Sequence, residues 1–167
     1  MMREPLKVIA DILAAEMMLT PGQIMLSNQT YVVPTTEGLY IVVGYLSSKF
    51  LGVTIVNTPT TSGMTETQCG SLDHTIQIDA MSFNDDARLR KEEIILALNS
   101  NTAEQLMGQN LISISRLPSQ IQYLPEPNET KMLQRYSTTM RVKALSQKII
   151  NTDYFNQFQT PEVHPNV

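Results

Sequence analysis

The chain has 167 residues, a formal net charge of −4 and a hydrophobic content of 42%, which are ordinary values for one globular domain. The negative net charge argues against binding of nucleic acid through bulk electrostatics, and the single cysteine, Cys69, excludes an internal disulfide and a zinc site built from thiolates. Only 17% of the residues are charged, and so weakly charged a surface tends to be covered by neighbouring molecules.

The charges are divided unevenly along the chain. Residues 1–86 hold three basic and nine acidic side chains, a net charge of −6, whereas residues 87–167 hold nine basic and seven acidic ones, a net charge of +2. Halves of opposite sign favour head-to-side contacts between identical copies, as in a ring.

The first predicted element is a helix over residues 5–19, with Pro5 in its first turn and Thr20-Pro21-Gly22 at its end. Its apolar stripe recurs at helical spacing and comprises Leu6, Ile9, Leu13 and Met17, widened by Val8 and Ile12. Acidic side chains interrupt the apolar run, so we expect neither a signal peptide nor a membrane span.

Residues 39–43 form a β-branched run typical of a central strand, and residues 50–56 predict a second strand with Gly52 as a possible bulge. Residues 57–71 are polar and Thr-rich, which predicts a projecting loop or an extended hairpin. This segment is either a solvated connector or an arm between subunits. The candidate arm residues are Thr58, Thr60, Thr61, Met64 and Thr65.

Residues 74–81 alternate as a strand whose Ile76, Ile78 and Ala80 face inward and whose Gln77 and Asp79 face outward. A helix capped by Ser82 or Asn84 then extends through Leu98. Its predicted buried face comprises Ala87, Ile94, Ile95 and Leu98, and a helical turn over residues 102–107 and a short strand over residues 111–116 follow.

Residues 131–150 alternate between apolar and polar positions, which predicts one long, half-buried strand with five Lys or Arg residues and no acid. Such a strand spans roughly 45–65 Å, whereas a domain of this size is about 40 Å across, so it bends or reaches beyond its own domain. The basic face of this strand comprises Lys131, Arg135, Arg141 and Lys143. Three alternatives are open for it: it is solvated, it contacts an acidic neighbour, or it contacts DNA phosphates.

The order of elements predicts an α+β fold with a single mostly antiparallel sheet and two main helices packed on it. Residues 1–152 form this domain, and residues 153–167 form an extended C-terminal tail. The tail is a docking segment or a frayed terminus, and its candidate docking residues are Tyr154, Phe155 and Phe158.

The sequence predicts no enzyme, cofactor or metal site. His74 and Asp79 are the obvious acid/base pair, but an odd separation along one strand directs them to opposite faces. Cys69 has no base near it in the sequence, and the chain contains no phosphate-binding or hydrolase motif.

Four segments, taken in chain order, resemble the neck and tail-terminator proteins of tailed bacteriophages: DDARLRKEEIILALNS, NSNTAEQLMGQN, LISISRLP and QRYSTTMRVKAL. The resemblance implies a tail-terminator-like fold and a homo-oligomeric ring, usually a hexamer, that caps the tail tube or sheath. The ring would join the tail to the head connector, with genomic DNA passing non-specifically through its lumen. The family offers no active site to transfer.

The resemblance also implies a virion protein, located in the tail or neck and assembled in the host cytoplasm, that contacts neighbouring neck, tube or sheath proteins and no membrane. One alternative is another tier of the neck or tail, such as a head-tail adaptor, a tube subunit or a baseplate subunit. A second alternative is a nucleic-acid-binding module that uses the face of residues 131–148.

Overall fold

The computed structural model describes residues 3–27, 38–60, 63–128 and 131–152. The fold is α+β, with one mostly antiparallel open sheet and short helices packed on it. The helices are α1 (Pro5–Glu16), α2 (Asp86–Arg90), α3 (Glu93–Leu98) and α4 (Asn101–Gln109). The strands are β1 (Ile24–Leu26), β2 (Tyr40–Thr60), β3 (Gly63–Ser82), β4 (Ile112–Arg116), β5 (Ile121–Tyr123), β6 (Glu126–Asn128) and β7 (Lys131–Thr152).

Three very long strands form the centre of the sheet, and the strand order is β1-β2-β3-β7-β4. Strands β2, β3 and β7 have 21, 20 and 22 residues, several times the usual strand length. Strand β1 pairs with β2 in parallel, and the other pairings are antiparallel, with β5 and β6 added along β7.

The main core lies between the helices and one face of this sheet, which we call the helix-side face; the opposite face is the outer face. The predicted α1 stripe is confirmed, because all six of its side chains are buried against sheet residues such as Ile41, Ile76 and Val142. Helix α1 is shorter than predicted and ends at Glu16. Thr20 and Gln23 then cap a 3-10 turn through reciprocal hydrogen bonds.

The predicted helix from residue 84 to Leu98 is broken into α2 and α3. The helix begins at Asp86 with Asp85 at its N-cap, so the predicted cap at Ser82 or Asn84 is wrong by one residue or more. Both predicted residues still bind the start of the helix: the Ser82 Oγ accepts a bond from the Ala87 N–H at 2.9 Å, and the Asn84 side chain accepts one from the Asp86 N–H at 2.8 Å. A tertiary contact that the sequence pattern does not show lies at this break. Arg90 donates to the Met17 carbonyl at 2.7 Å and binds Glu93 across the break.

The predicted boundaries between residues 39 and 81 are wrong, because two continuous strands replace three short ones. The strands of residues 39–43 and 50–56 merge into β2, and the segment 57–71 belongs to the hairpin formed by β2 and β3. The register shifts at Leu46 and Leu51, so the bulge lies beside Gly52 rather than at it. Strand β7 is unbroken, and it reaches beyond the helix-covered body.

Candidate assembly interface

A three-stranded ribbon extends from the body and is the most conspicuous feature of the surface. We call it the arm, and it comprises residues 46–60, 63–72 and 145–152. Fifteen residues of β2 give it a length of about 45 Å at ~3.3 Å per residue, comparable with the width of the body. Every residue from 46 to 60 is exposed, so backbone pairing rather than burial maintains this part of β2.

The arm exposes many apolar side chains. Eight of the fifteen large hydrophobic residues that are strongly exposed among the described residues lie on it, with fractional exposures from 46% to 63%. They are Leu46, Phe50, Leu51, Val53, Ile55, Val56, Leu145 and Ile149. An apolar concentration of this kind on a narrow ribbon is typical of a surface that another molecule covers.

Both faces of the arm contribute to this apolar surface. The register places Phe50, Val53 and Ile55 on the continuation of the helix-side face. On the same face, a Cβ atom at Gly70 would lie 2.7 Å from the Phe50 ring, which means that this ring packs closely over the glycine. Val56, Leu145 and Ile149 occupy the outer face.

The arm also has two open edges within the described part of the chain. Beyond its pairing with β1 at residues 41–43, β2 pairs only with β3, and beyond Ala144 strand β7 pairs only with β3. Pro59, which lacks an N–H group, lies in β2, and proline is tolerated at such an edge. Open edges present backbone donors and acceptors that a partner strand can pair.

The candidate arm residues from the sequence lie at or near the tip of this ribbon. Thr58 pairs with Thr65, and Thr60 pairs with Gly63 at the last position of the hairpin. Met64 lies next to the tip in β3. Thr61 and the candidate docking residues Tyr154, Phe155 and Phe158 lie outside the described residues.

The four basic residues predicted on β7 share the outer face, because even numbers of residues separate them along an unbroken strand. Arg135 is held within the sheet: it donates to Asp79 at 2.9 Å and also pairs with Glu126. Although burial opposes the charged form, the hydrogen bonds and charges of these two carboxylates raise the pKa of Arg135 above its ordinary value. Asp79 lies on the predicted outer face but is only 6% exposed.

The remaining basic residues have different surroundings. Lys143 lies opposite Asp73 in the register, and Asp73 lies opposite Lys49 on its other side. Arg141 lies opposite Thr75 in β3 and opposite Arg116 in β4. Lys131, at the start of β7, pairs with Asn128 of β6.

His74 and Asp79 lie on opposite faces of β3, as predicted, and therefore form no acid/base pair. The His74 Nδ1 atom lies 2.8 Å from the Ser48 Oγ, and the imidazole packs against Tyr45 with ring centroids 5.0 Å apart. Burial lowers the pKa of His74 below its ordinary value, while the charges of Asp73 and Glu4 oppose that shift. These residues belong to the junction between the body and the arm.

A cleft of about 690 Å³ lies at this junction, between the start of α1 and the base of the arm, and Glu4, Tyr45 and His74 contribute to its wall. Cys69 lies within the arm and is half-buried between Thr54 and Gln147. Within the described ranges, no group of three or more His, Cys, Asp or Glu side chains is arranged to hold a metal ion. None of the described helices is long and apolar enough to cross a membrane.

A scan against protein-family models finds no matching family, and a search of curated protein sequences finds no significant match.

Proposed function

We propose that this protein is a structural subunit of a bacteriophage neck and that it forms the tail-terminator ring, which caps the tail tube or sheath and joins it to the head connector. The arm is the observation that carries the proposal. A ribbon about 45 Å long with apolar side chains on both faces buries little surface within its own chain, so a partner must supply the remaining burial.

The partner that we propose is a second copy of the chain. The helix layer of the body exposes a separate apolar set, Met18, Leu89 and Leu96, with fractional exposures of 90%, 68% and 71%. An arm that packs on the helix layer of the next copy makes a head-to-tail contact, because the two surfaces are different parts of one molecule. Head-to-tail contacts close into rings when the rotation between neighbours permits it.

The exposed apolar side chains set the scale of the contact. Each arm residue already buries about half of its surface, so covering the rest contributes on the order of 1 kcal/mol per side chain. The loss of freedom on association offsets a large part of the sum. We therefore expect rings that form reversibly as the concentration of subunits rises.

Light scattering on the full chain, measured across concentration and salt, tests self-assembly. We expect a discrete closed species, most simply a hexamer. The double substitution Val53→Lys and Ile55→Lys should shift its formation to concentrations about 10–100-fold higher, because two apolar contacts are lost and two charges require desolvation. Thr54→Lys is the control, since it adds one lysine charge between these two positions on the opposite face of the arm.

The acceptor surface has its own pair of variants. Leu96→Lys should weaken assembly to a similar degree, while Gln105→Lys, at an exposed polar position of α4, should not. A wild-type chain that stays monomeric at every concentration would contradict self-assembly through the arm. Equal effects of Thr54→Lys and the double substitution would contradict contact through the helix-side face of the arm, on which Val53 and Ile55 lie.

A second experiment tests the place of the protein in the phage. Labelled protein added to purified tails that lack their terminal ring should bind at the head-proximal end, as seen by electron microscopy. Binding along the tube or at the baseplate would assign the protein to another tier of the tail. The same labelled protein added to purified heads tests the connector, and binding there would indicate a head-tail adaptor. An absence of binding to tails and connectors would contradict the neck assignment.

A further inference from the structure

A second surface, separate from the arm, lies where β4 pairs with β7. Arg116 and Arg141 are direct register partners on these antiparallel strands, so both side chains lie on the outer face. A bulge at Ser115 creates this pairing, because without the extra residue a serine would lie opposite Arg141. The Ser115 hydroxyl donates to the Arg141 carbonyl at 3.3 Å and supports the bulge.

These two are the only arginines without a carboxylate partner in the described part of the chain, which includes all six arginines of the sequence. The other four each form an ion pair with a carboxylate: Arg3 with Asp11, Arg88 with Asp85, Arg90 with Glu93, and Arg135 with Asp79 and Glu126. Like charges directly opposite each other on paired strands destabilise a sheet unless an anion lies between them.

The surroundings of the pair supply further donors and no acid. Arg116 and Arg141 line a cleft of about 320 Å³, whose other polar lining residues are Thr75, Ser119, Gln120 and Thr139. The Thr138 hydroxyl donates to the Gln120 carbonyl at 2.7 Å and fixes the loop that forms one wall. None of the residues that line the cleft is acidic, and Asp73 on the same face of β3 lies opposite Lys49 and Lys143 in the register rather than opposite Arg141.

We propose that this cleft binds a phosphate group, with Arg116 and Arg141 as its two charged ligands. The planar guanidinium group donates two parallel hydrogen bonds in a geometry that matches the oxygen atoms of phosphate. The neighbouring hydroxyl and amide groups add further donors, so the cleft offers more hydrogen bonds than one carboxylate can accept. The proposal does not depend on ring assembly, because both arginines and the donors around them belong to one chain.

Thermal unfolding of the full chain in inorganic phosphate, compared with acetate and chloride at equal ionic strength, tests the site. Phosphate should raise the Tm of the wild type and of the control Arg88→Gln, which removes an exposed, ion-paired arginine elsewhere. It should raise the Tm of Arg116→Gln and Arg141→Gln much less. Titration calorimetry should show a Kd for phosphate at least ~10-fold higher in each cleft variant.

The phosphate-free proteins provide a further test with the opposite sign. If the two arginines repel each other in the empty cleft, Arg116→Gln should raise the Tm by about 1–2 °C. The proposal is overturned if phosphate does not raise the wild-type Tm, or if it raises the Tm of the cleft variants equally. An equal gain in acetate would also overturn it, because the cleft would then accept a carboxylate.

The source of the phosphate is resolved with a fluorescently labelled oligothymidylate. Tighter binding than that of inorganic phosphate, with affinity that falls as salt rises, would identify a nucleic-acid backbone as the source. Binding no tighter than that of inorganic phosphate would identify a free phosphoryl group. Either result supports the phosphate site if Arg116→Gln and Arg141→Gln abolish the binding. Binding of the oligothymidylate that survives these substitutions would count against the site.

Discussion

Replacement of Arg135 by methionine removes the positive charge from the ion-pair cluster of the outer face and keeps most of the side-chain volume. The Arg135 side chain is 23% exposed and that of its partner Asp79 is 8% exposed, so the substitution leaves a nearly buried carboxylate without its cation. Removing one partner of a buried pair costs about 3–5 kcal/mol. The cost here should be smaller because Gln77 still donates to both Asp79 oxygens, at 3.0 and 2.9 Å.

We therefore expect Arg135→Met to lower the free energy of unfolding by about 2–3 kcal/mol. Addition of Asp79→Asn in the same chain should recover about 1–2 kcal/mol, because the uncompensated buried charge is then gone. Urea unfolding followed by circular dichroism measures both values, provided that the m-value is unchanged.

Arg88→Gln is the matched control, because it removes an arginine from an exposed ion pair with Asp85. It should leave the urea midpoint unchanged. The reasoning would be refuted if Arg135→Met were as mild as this control, or if the second substitution at Asp79 brought no recovery. In either case the Asp79 carboxylate would not depend on Arg135 for its charge compensation.

Three further substitutions probe the close approach of strands, the body core and the junction. Gly44→Ala should lower the free energy of unfolding in urea by about 1–3 kcal/mol, because a Cβ atom there would lie 2.7 Å from the Ser27 Cβ. Gly52→Ala is its control and should be neutral or slightly stabilising, because a Cβ atom at Gly52 would have no other atom within 4 Å. Ile9→Ala should cost about 2–5 kcal/mol, since Ile9 is fully buried, and a smaller loss would show that the helix layer is loosely packed. The pKa of folded His74 lies below its unfolded value of 6.5, so the wild-type Tm should fall as the pH decreases below that value, and His74→Gln should show a shallower decrease. Identical pH profiles of the two proteins would contradict a role for His74.

The elements that the sequence predicts well are those that bury one face within the body. The α1 stripe, the inward-facing residues of β3 and the short strand β4 all show apolar side chains at the period of their secondary structure, because burial selects those positions. The helix start near Ser82 is also local, since its side-chain bonds reach only a few residues.

The arm could not be delimited in this way. Its residues lie in strands because their backbones pair with β3, and that pairing imposes no alternation of apolar and polar side chains where both faces are exposed. The segment 57–71 therefore resembles a loop in composition. The alternating residues of β7 indicated a strand longer than a compact domain, and the structure shows which outcome applies: the strand extends into the arm.

The sequence by itself determined the class of the fold, the buried stripe of the first helix, the two faces of β7 and the separation of His74 from Asp79, because each depends on periodicity along one segment. Only the tertiary structure decided which charges are neutralised. Arg135 finds Asp79 across 56 positions of chain, while Arg116 and Arg141 meet through a bulge and a strand pairing that no local pattern encodes. Charges far apart in sequence interact according to strand order and register, and these are fixed when the whole sheet assembles around its core.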